Sequence, residues 1–136
     1  MTIHLKFAKP KKPSKSKLQK QCDILFSILV RSVRRCEASQ YTKVHCGGQL
    51  QCAHIISRSN RRLRWDTMNA ICMCAGHHRY FTTKSEAWYW DFLPKYFPDK
   101  SEYVKKYRND IVANLNLEAI RDDLQRHVDA LQMNKK

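Results

Sequence analysis

Acidic residues are nearly missing from the first two thirds of this 136-residue chain. Residues 1–35 hold a single acid, Asp23, against ten Lys and Arg, and residues 36–84 hold two acids against seven. Residues 85–136 hold nine of each, so the whole formal excess of +14 lies before residue 85. Such a stretch suits a polyanion, because each phosphate it neutralises releases condensed counterions. Its basic start also lacks an aromatic-rich apolar face, which argues against an anionic membrane surface as that polyanion. No run approaches the ~20 apolar residues that span a bilayer. Lys6, Lys9, Lys11 and Lys12 interrupt any secretory apolar core. Internal repeats are missing too, and the length fits one domain with a modest core. These absences lead to the expectation of an intracellular, cytoplasmic protein. In that reducing setting spaced Cys and His among the six cysteines and six histidines are expected as metal ligands rather than disulfides, whereas Cys22, on a helical apolar stripe, is expected as a packed thiol.

What is there begins with a Lys-, Pro- and Ser-rich stretch, expected as a flexible basic arm over residues 1–16. Leu18, Cys22, Leu25, Phe26, Leu29, Val30 and Val33 then recur at helical spacing. They predict a helix over about 17–35, capped by Ser16, with Arg31, Arg34 and Arg35 at its negative end. An irregular stretch ends at Gly47-Gly48, and Leu50 to Ile56 reads as a strand. A basic loop over 57–66 leads to a second strand over Asn69 to Cys74, which Gly76 breaks before a helical turn at His77. The last third predicts helices over 86–93, 102–113 and 117–132, capped by Ser85, Ser101 and Asn116. In the second of these, Tyr103, Val104, Tyr107 and Ile111 are expected inward.

Zinc takes Cys and His ligands in a tetrahedron, usually delivered as two close pairs. Cys74 and His77 form one pair, at the end of a strand and the start of a helix. Cys36 and Cys46, flanking the irregular stretch, are candidates for the other, with His45 and Cys72 as competitors. His54 titrates in the range a general base needs at neutral pH. It leaves its strand just before Arg58, Arg61, Arg62 and Arg64, which with Arg79 are candidates for holding phosphates.

Leu50-Gln51-Cys52-Ala53-His54-Ile55-Ile56-Ser57-Arg58-Ser59, followed by Asn69-Ala70-Ile71-Cys72-Met73-Cys74-Ala75-Gly76-His77-His78, resembles an HNH nuclease of the His-Me finger group. It is most similar to the phage-encoded, zinc-containing members, for which the setting would be the host cytoplasm. The likeness covers about residues 36–80. It implies an α+β, mostly helical fold: a ββα-metal core with a zinc knuckle, flanked by an N-terminal helix and a C-terminal helical tail. Residues 17–84 would form the helix and nuclease core, and 85–136 the tail packed on it. The resemblance further implies that His54 is the general base and that Asn69 orients the His54 segment through backbone contacts. It makes His78 a ligand of a catalytic Mg²⁺ or another divalent ion, and it puts a structural Zn²⁺ on Cys36, Cys46, Cys74 and His77. Many members carry a His or Asp before the base, where this chain has Ala53. That leaves His78, substrate phosphate and water, or another side chain, to hold the ion. The expected activity is metal-dependent hydrolysis of double-stranded DNA. The alternative is a zinc-stabilised DNA-binding module without chemistry.

Overall fold

The computed structural model describes residues 12–83 and 87–134. Most of the expected basic arm, and Ser85 with the expected helix start at 86, lie outside the described residues. Helix α1 (Lys15–Arg31) precedes a short 3-10 turn (Ser39–Tyr41), strand β1 (Leu50–His54), a second 3-10 turn (Thr67–Asn69) and strand β2 (Ala70–Cys74). Helix α2 (Ala75–Thr83) follows at once, then a π-helical turn (Trp88–Phe92), α3 (Leu93–Tyr96), α4 (Pro98–Tyr107) and α5 (Leu117–Met133). The architecture is α+β and mostly helical, and β1, β2 and α2 run in the expected ββα order. Among the described residues no helix is long and apolar enough to cross a membrane.

The two strands pair antiparallel, with Leu50 opposite Cys74 and His54 opposite Ala70. Alternation sends side chains to two different cores. On one side Ala53, Ile71 and Met73 pack with Phe81 of α2, Trp88 and Leu93. On the other, Ala70 and Cys72 pack against Cys22, Phe26 and Val30 of α1 and Leu124 of α5. Helix α1 buries Leu18, Cys22, Phe26 and Val30 at four-residue spacing, a single stripe of its surface. Cys22 is a packed thiol, as its place on that stripe predicts, and its Sγ lies 3.7 Å from the carbonyl of Leu117.

Several element ends differ from expectation. The cap of α1 is Ser14, not Ser16, and accepts from the N–H of Lys17. That helix stops at Arg31, because Ser32 bonds the Leu29 carbonyl and Arg34 adopts a left-handed φ of 62°. Strand β1 ends at His54 rather than Ile56, since Asn69 takes up the next two N–H groups: Ile55 donates to its carbonyl and Ile56 to its Oδ1. The helix expected over 102–113 runs from Pro98 to Tyr107 instead. Pro98 is well suited to a first helical position, where no N–H is needed. The shift places Ser101 inside the helix, and Ile111, expected inward, is 94 % exposed beyond its end. Asn116 does cap α5, accepting from Ala119.

Candidate metal centre and active site

The sulfur-rich corner is built by three local devices. Glu37 pairs with β2 at Cys72, its N–H donating to the Cys72 carbonyl (2.8 Å) and its carboxylate accepting from the Cys72 N–H (3.0 Å), which draws Cys36 to the strand. The Cys46-Gly47-Gly48 turn lies against the start of α2, with Gly76 N–H donating to the Gly47 carbonyl. Gly48 has φ +81°, and a Cβ there would sit 2.8 Å from that of Ala75, so only glycine fits. Cys74 closes β2, and His77 is fully buried in the first turn of α2.

The ligand atoms of Cys36, Cys46, Cys74 and His77 all fall within 4.8 Å of one another. His77 Nδ1 is 3.2, 3.6 and 3.3 Å from the sulfurs of Cys36, Cys46 and Cys74. Its Nε2 lies 2.6 Å from the Val44 carbonyl, which only accepts. The ring proton therefore sits on Nε2, and the lone pair of Nδ1 faces three thiols. A tetrahedron with zinc–sulfur bonds of ~2.3 Å and a zinc–nitrogen bond of ~2.05 Å has S···N edges of about 3.6 Å. The donor set thus fits zinc in chemistry and in dimensions. Burial raises the Cys74 thiol, but bonds from the His77 and Gly47 backbone and from the Cys36 and Cys46 thiols outweigh it and hold it at about 7. His45 is exposed and Cys72 is buried in the α1-side core, and neither joins the cluster.

His54 stands at the end of β1, half-buried, its ring 5.4 Å from that of Phe26. Its Nε2 is 2.8 Å from the main-chain carbonyl of Arg64. The proton again belongs on Nε2, which leaves Nδ1 as the basic nitrogen. Burial pushes the imidazole below the ordinary 6.5; the Arg64 carbonyl and Asp23 oppose that fall, and Arg58 adds to it. Asn69 is fully buried and makes three bonds across the loop: Oδ1 accepts from Ile56, and Nδ2 donates to the carbonyls of Ile56 and Leu63. His78 Nδ1 lies 2.8 Å from Gln51 Oε1, so its Nε2 is the free nitrogen, and burial lowers its pKa too. His54 and His78 line the same open groove of about 580 Å³, together with Asp23, Gln51 and Arg58. Ala53, by contrast, is buried in the α2-side core. With His54 Nδ1 kept as the basic nitrogen and the Asp23 carboxylate taken up by Arg64 and Trp65, a divalent ion at this groove would have the His78 imidazole as its ligand. Among the described residues the Cys/His corner is the one group of three or more ligand side chains. The groove therefore fits an ion that draws most of its coordination from water and phosphate, as Mg²⁺ commonly does.

The arginines divide into two sets. Arg64 donates Nε and Nη2 to Asp23 (3.1 and 2.7 Å), and Arg62 is held by Asp66, Tyr103 and the face of Tyr107. Arg58, Arg61 and Arg79 are exposed, Arg58 with a guanidinium nitrogen 3.9 Å from Asp23. Sequence reasoning missed Asp23, Gln51 and Lys100. Lys100 donates from α4 to the carbonyls of Thr67 and Ala70 (2.9 and 2.8 Å), tying that helix to the start of β2. Asp23 had a signal, as the only acid among the first 35 residues.

Residues 36–85 match the family model described as HNH endonuclease. No curated protein and no solved structure matches the chain. Helix α1 and everything after residue 85 lie outside the matched segment.

Proposed function

We propose, from the premise that residues 36–85 belong to the HNH endonuclease family, that the protein hydrolyses DNA phosphodiester bonds in the groove between His54 and His78. The observation that carries this reading is the pairing of His54 Nε2 with the Arg64 carbonyl, which leaves a basic Nδ1 on a ring lining the groove that His78 also lines. His54 takes a proton from an attacking water at Nδ1, and the Arg64 carbonyl favours the imidazolium that results. His78, with water and substrate phosphate, would hold a divalent ion, Mg²⁺ or another, which when bound would supply charge neutralisation to the phosphate and the leaving group. Gln51 holds the His78 ring so that Nε2 is its open nitrogen. Asn69 orients the segment leaving β1 through its three backbone bonds. Arg58, Arg61 and, from α2, Arg79 contact the backbone of double-stranded DNA, whereas Arg62 and Arg64 brace the loop that carries Arg58 and Arg61.

Zinc on Cys36, Cys46, Cys74 and His77 is structural in this reading: it staples the loop before β1 to the corner between β2 and α2. Six reduced cysteines and a thiolate metal site suit an intracellular setting.

The test is supercoiled plasmid incubated with the full chain and Mg²⁺ or Mn²⁺, with and without EDTA, beside His54→Ala. Nicking that needs the ion and collapses in the variant supports the reading. Retarded mobility without any nicking overturns it in favour of a binding module.

A further inference from the structure

We propose that Asp23, on a helix that precedes the HNH segment, is a positioning residue for His54. This deepens the nuclease reading and rests on it for the activity measurements. The Asp23 carboxylate accepts three bonds from two consecutive residues: Arg64 Nε at 3.1 Å, Arg64 Nη2 at 2.7 Å and Trp65 Nε1 at 2.9 Å. Two of them form an Arg–carboxylate fork, the geometry that fixes a guanidinium most tightly. The residue so gripped is the one whose main-chain carbonyl accepts from His54 Nε2. Asp23 thereby sets where that acceptor stands, and the acceptor sets which ring nitrogen of His54 is basic. Three residues on, Phe26 packs its ring 5.4 Å from the imidazole, so α1 supplies both an anchor and an apolar neighbour. Burial raises the Asp23 carboxyl, but the Arg64 and Trp65 bonds and the charges of Arg64 and Arg58 bring it below the usual range, which keeps it anionic.

The charged and titratable groups around His54 are Asp23 and Arg31 of α1, Arg58 and Arg64 of the loop, Cys52 of its own strand and His78 of α2. Asp23 and Arg64's carbonyl favour the protonated ring, and Arg58 and Arg64's charge disfavour it. Removing the carboxylate therefore moves the acid limb of the nicking profile to lower pH while the plateau falls.

The experiment compares the full chain with Asp23→Asn, Asp23→Glu, His54→Ala and the Asp23→Asn/His54→Ala double variant. Divalent-dependent nicking is followed from pH 5 to 9, and His54 is followed by ¹⁵N NMR. We expect Asp23→Asn to lose roughly ten- to a hundredfold in plateau rate, as removal of an orienting partner typically does. Its acid limb shifts downward, and the loss vanishes in the His54→Ala background. The Nε2–H tautomer of His54 becomes mixed, and Asp23→Glu recovers part of the rate. An unshifted acid limb, or an equal loss with and without His54, reduces Asp23 to a plain structural tie and overturns the proposal. If Asp23→Asn does not fold, Arg64→Gln removes the fork while keeping the carbonyl: the rate loss, its disappearance in the His54→Ala background and the mixed tautomer are again expected, while the lost Arg64 charge moves the acid limb upward instead. A wild-type chain that nicks nothing sinks the nuclease reading alone. The NMR arm then still decides positioning, since an unchanged tautomer and titration of His54 in Asp23→Asn overturns it.

Discussion

The imidazole of His54 donates through Nε2 to the backbone carbonyl of Arg64 across 2.8 Å, a contact ten residues apart in the chain that assigns the ring's basic nitrogen. Because the acceptor is main-chain, no substitution at residue 64 deletes it directly. His54→Ala is the clean probe. The side chain is only half-buried, so although its loss removes a contact with Phe26 the fold and DNA retention are expected to stay in place. Removing a general base typically lowers the rate by about 10²–10⁴, and plasmid nicking measures it. Wild-type-like nicking by His54→Ala would exclude the assigned base.

The acid side of the pH profile follows from the same ring. Burial lowers the His54 pKa from 6.5, and the neutral form is the one that takes a proton. The rate is therefore flat above about pH 6.5 and declines only below it. Stability carries the same sign: with the folded pKa below the unfolded one, the unfolded chain binds more protons as pH falls through 6.5. The contribution of His54 is thus full above that value and is lost toward the lowered pKa. A nicking rate that still climbs tenfold per unit between pH 7 and 8 contradicts this.

Chelation or Cys74→Ala unfolds the central region. Apparent zinc binding in small structural sites is worth about 10–16 kcal/mol, whereas a whole domain is stable by about 5–15 kcal/mol. Circular dichroism melts with parallel zinc analysis give the answer. An unaltered melt in a zinc-free protein removes the structural role.

Asn69→Ala leaves the Ile56 N–H and the carbonyls of Ile56 and Leu63 without their partner in a fully buried position. The expected loss is about 2–4 kcal/mol in urea unfolding, from unpaired buried polar groups. A change under 1 kcal/mol would mean that the loop reorganises.

Arg58→Ala, Arg61→Ala and Arg79→Ala each reduce the dependence of log K on log salt by roughly 0.9, the value of one phosphate contact on duplex DNA. Arg64→Ala instead lowers the melting temperature and leaves the salt slope nearly intact, because its guanidinium belongs to Asp23. Equal slopes for Arg58→Ala and Arg64→Ala would contradict that division.

The local chemistry was legible in the residues. Cys74 and His77 are three positions apart where a strand meets a helix, and their convergence needs only local geometry. The α1 stripe and the Asn116 cap read correctly, since apolar spacing and a capping side chain act within one or two turns. Helix and strand ends read poorly. Ile111 carries the right spacing, yet its helix begins four residues early at Pro98, and nothing in the pattern marks which of two starts the packing favours. Sequence placed all five arginines on phosphate, because the loop shows charge but not the carboxylate waiting 41 residues upstream.

Residue order alone determined the basic excess before residue 85, the ββα arrangement and the pairing of Cys74 with His77, since charge density and short-range periodicity are properties of neighbouring positions. The tertiary structure alone decided which nitrogen of His54 and of His77 bears the proton and which of the loop arginines are held by carboxylates. Those depend on a carbonyl at Val44 or Arg64 and a carboxylate at Asp23, groups that meet their partners only when distant segments pack.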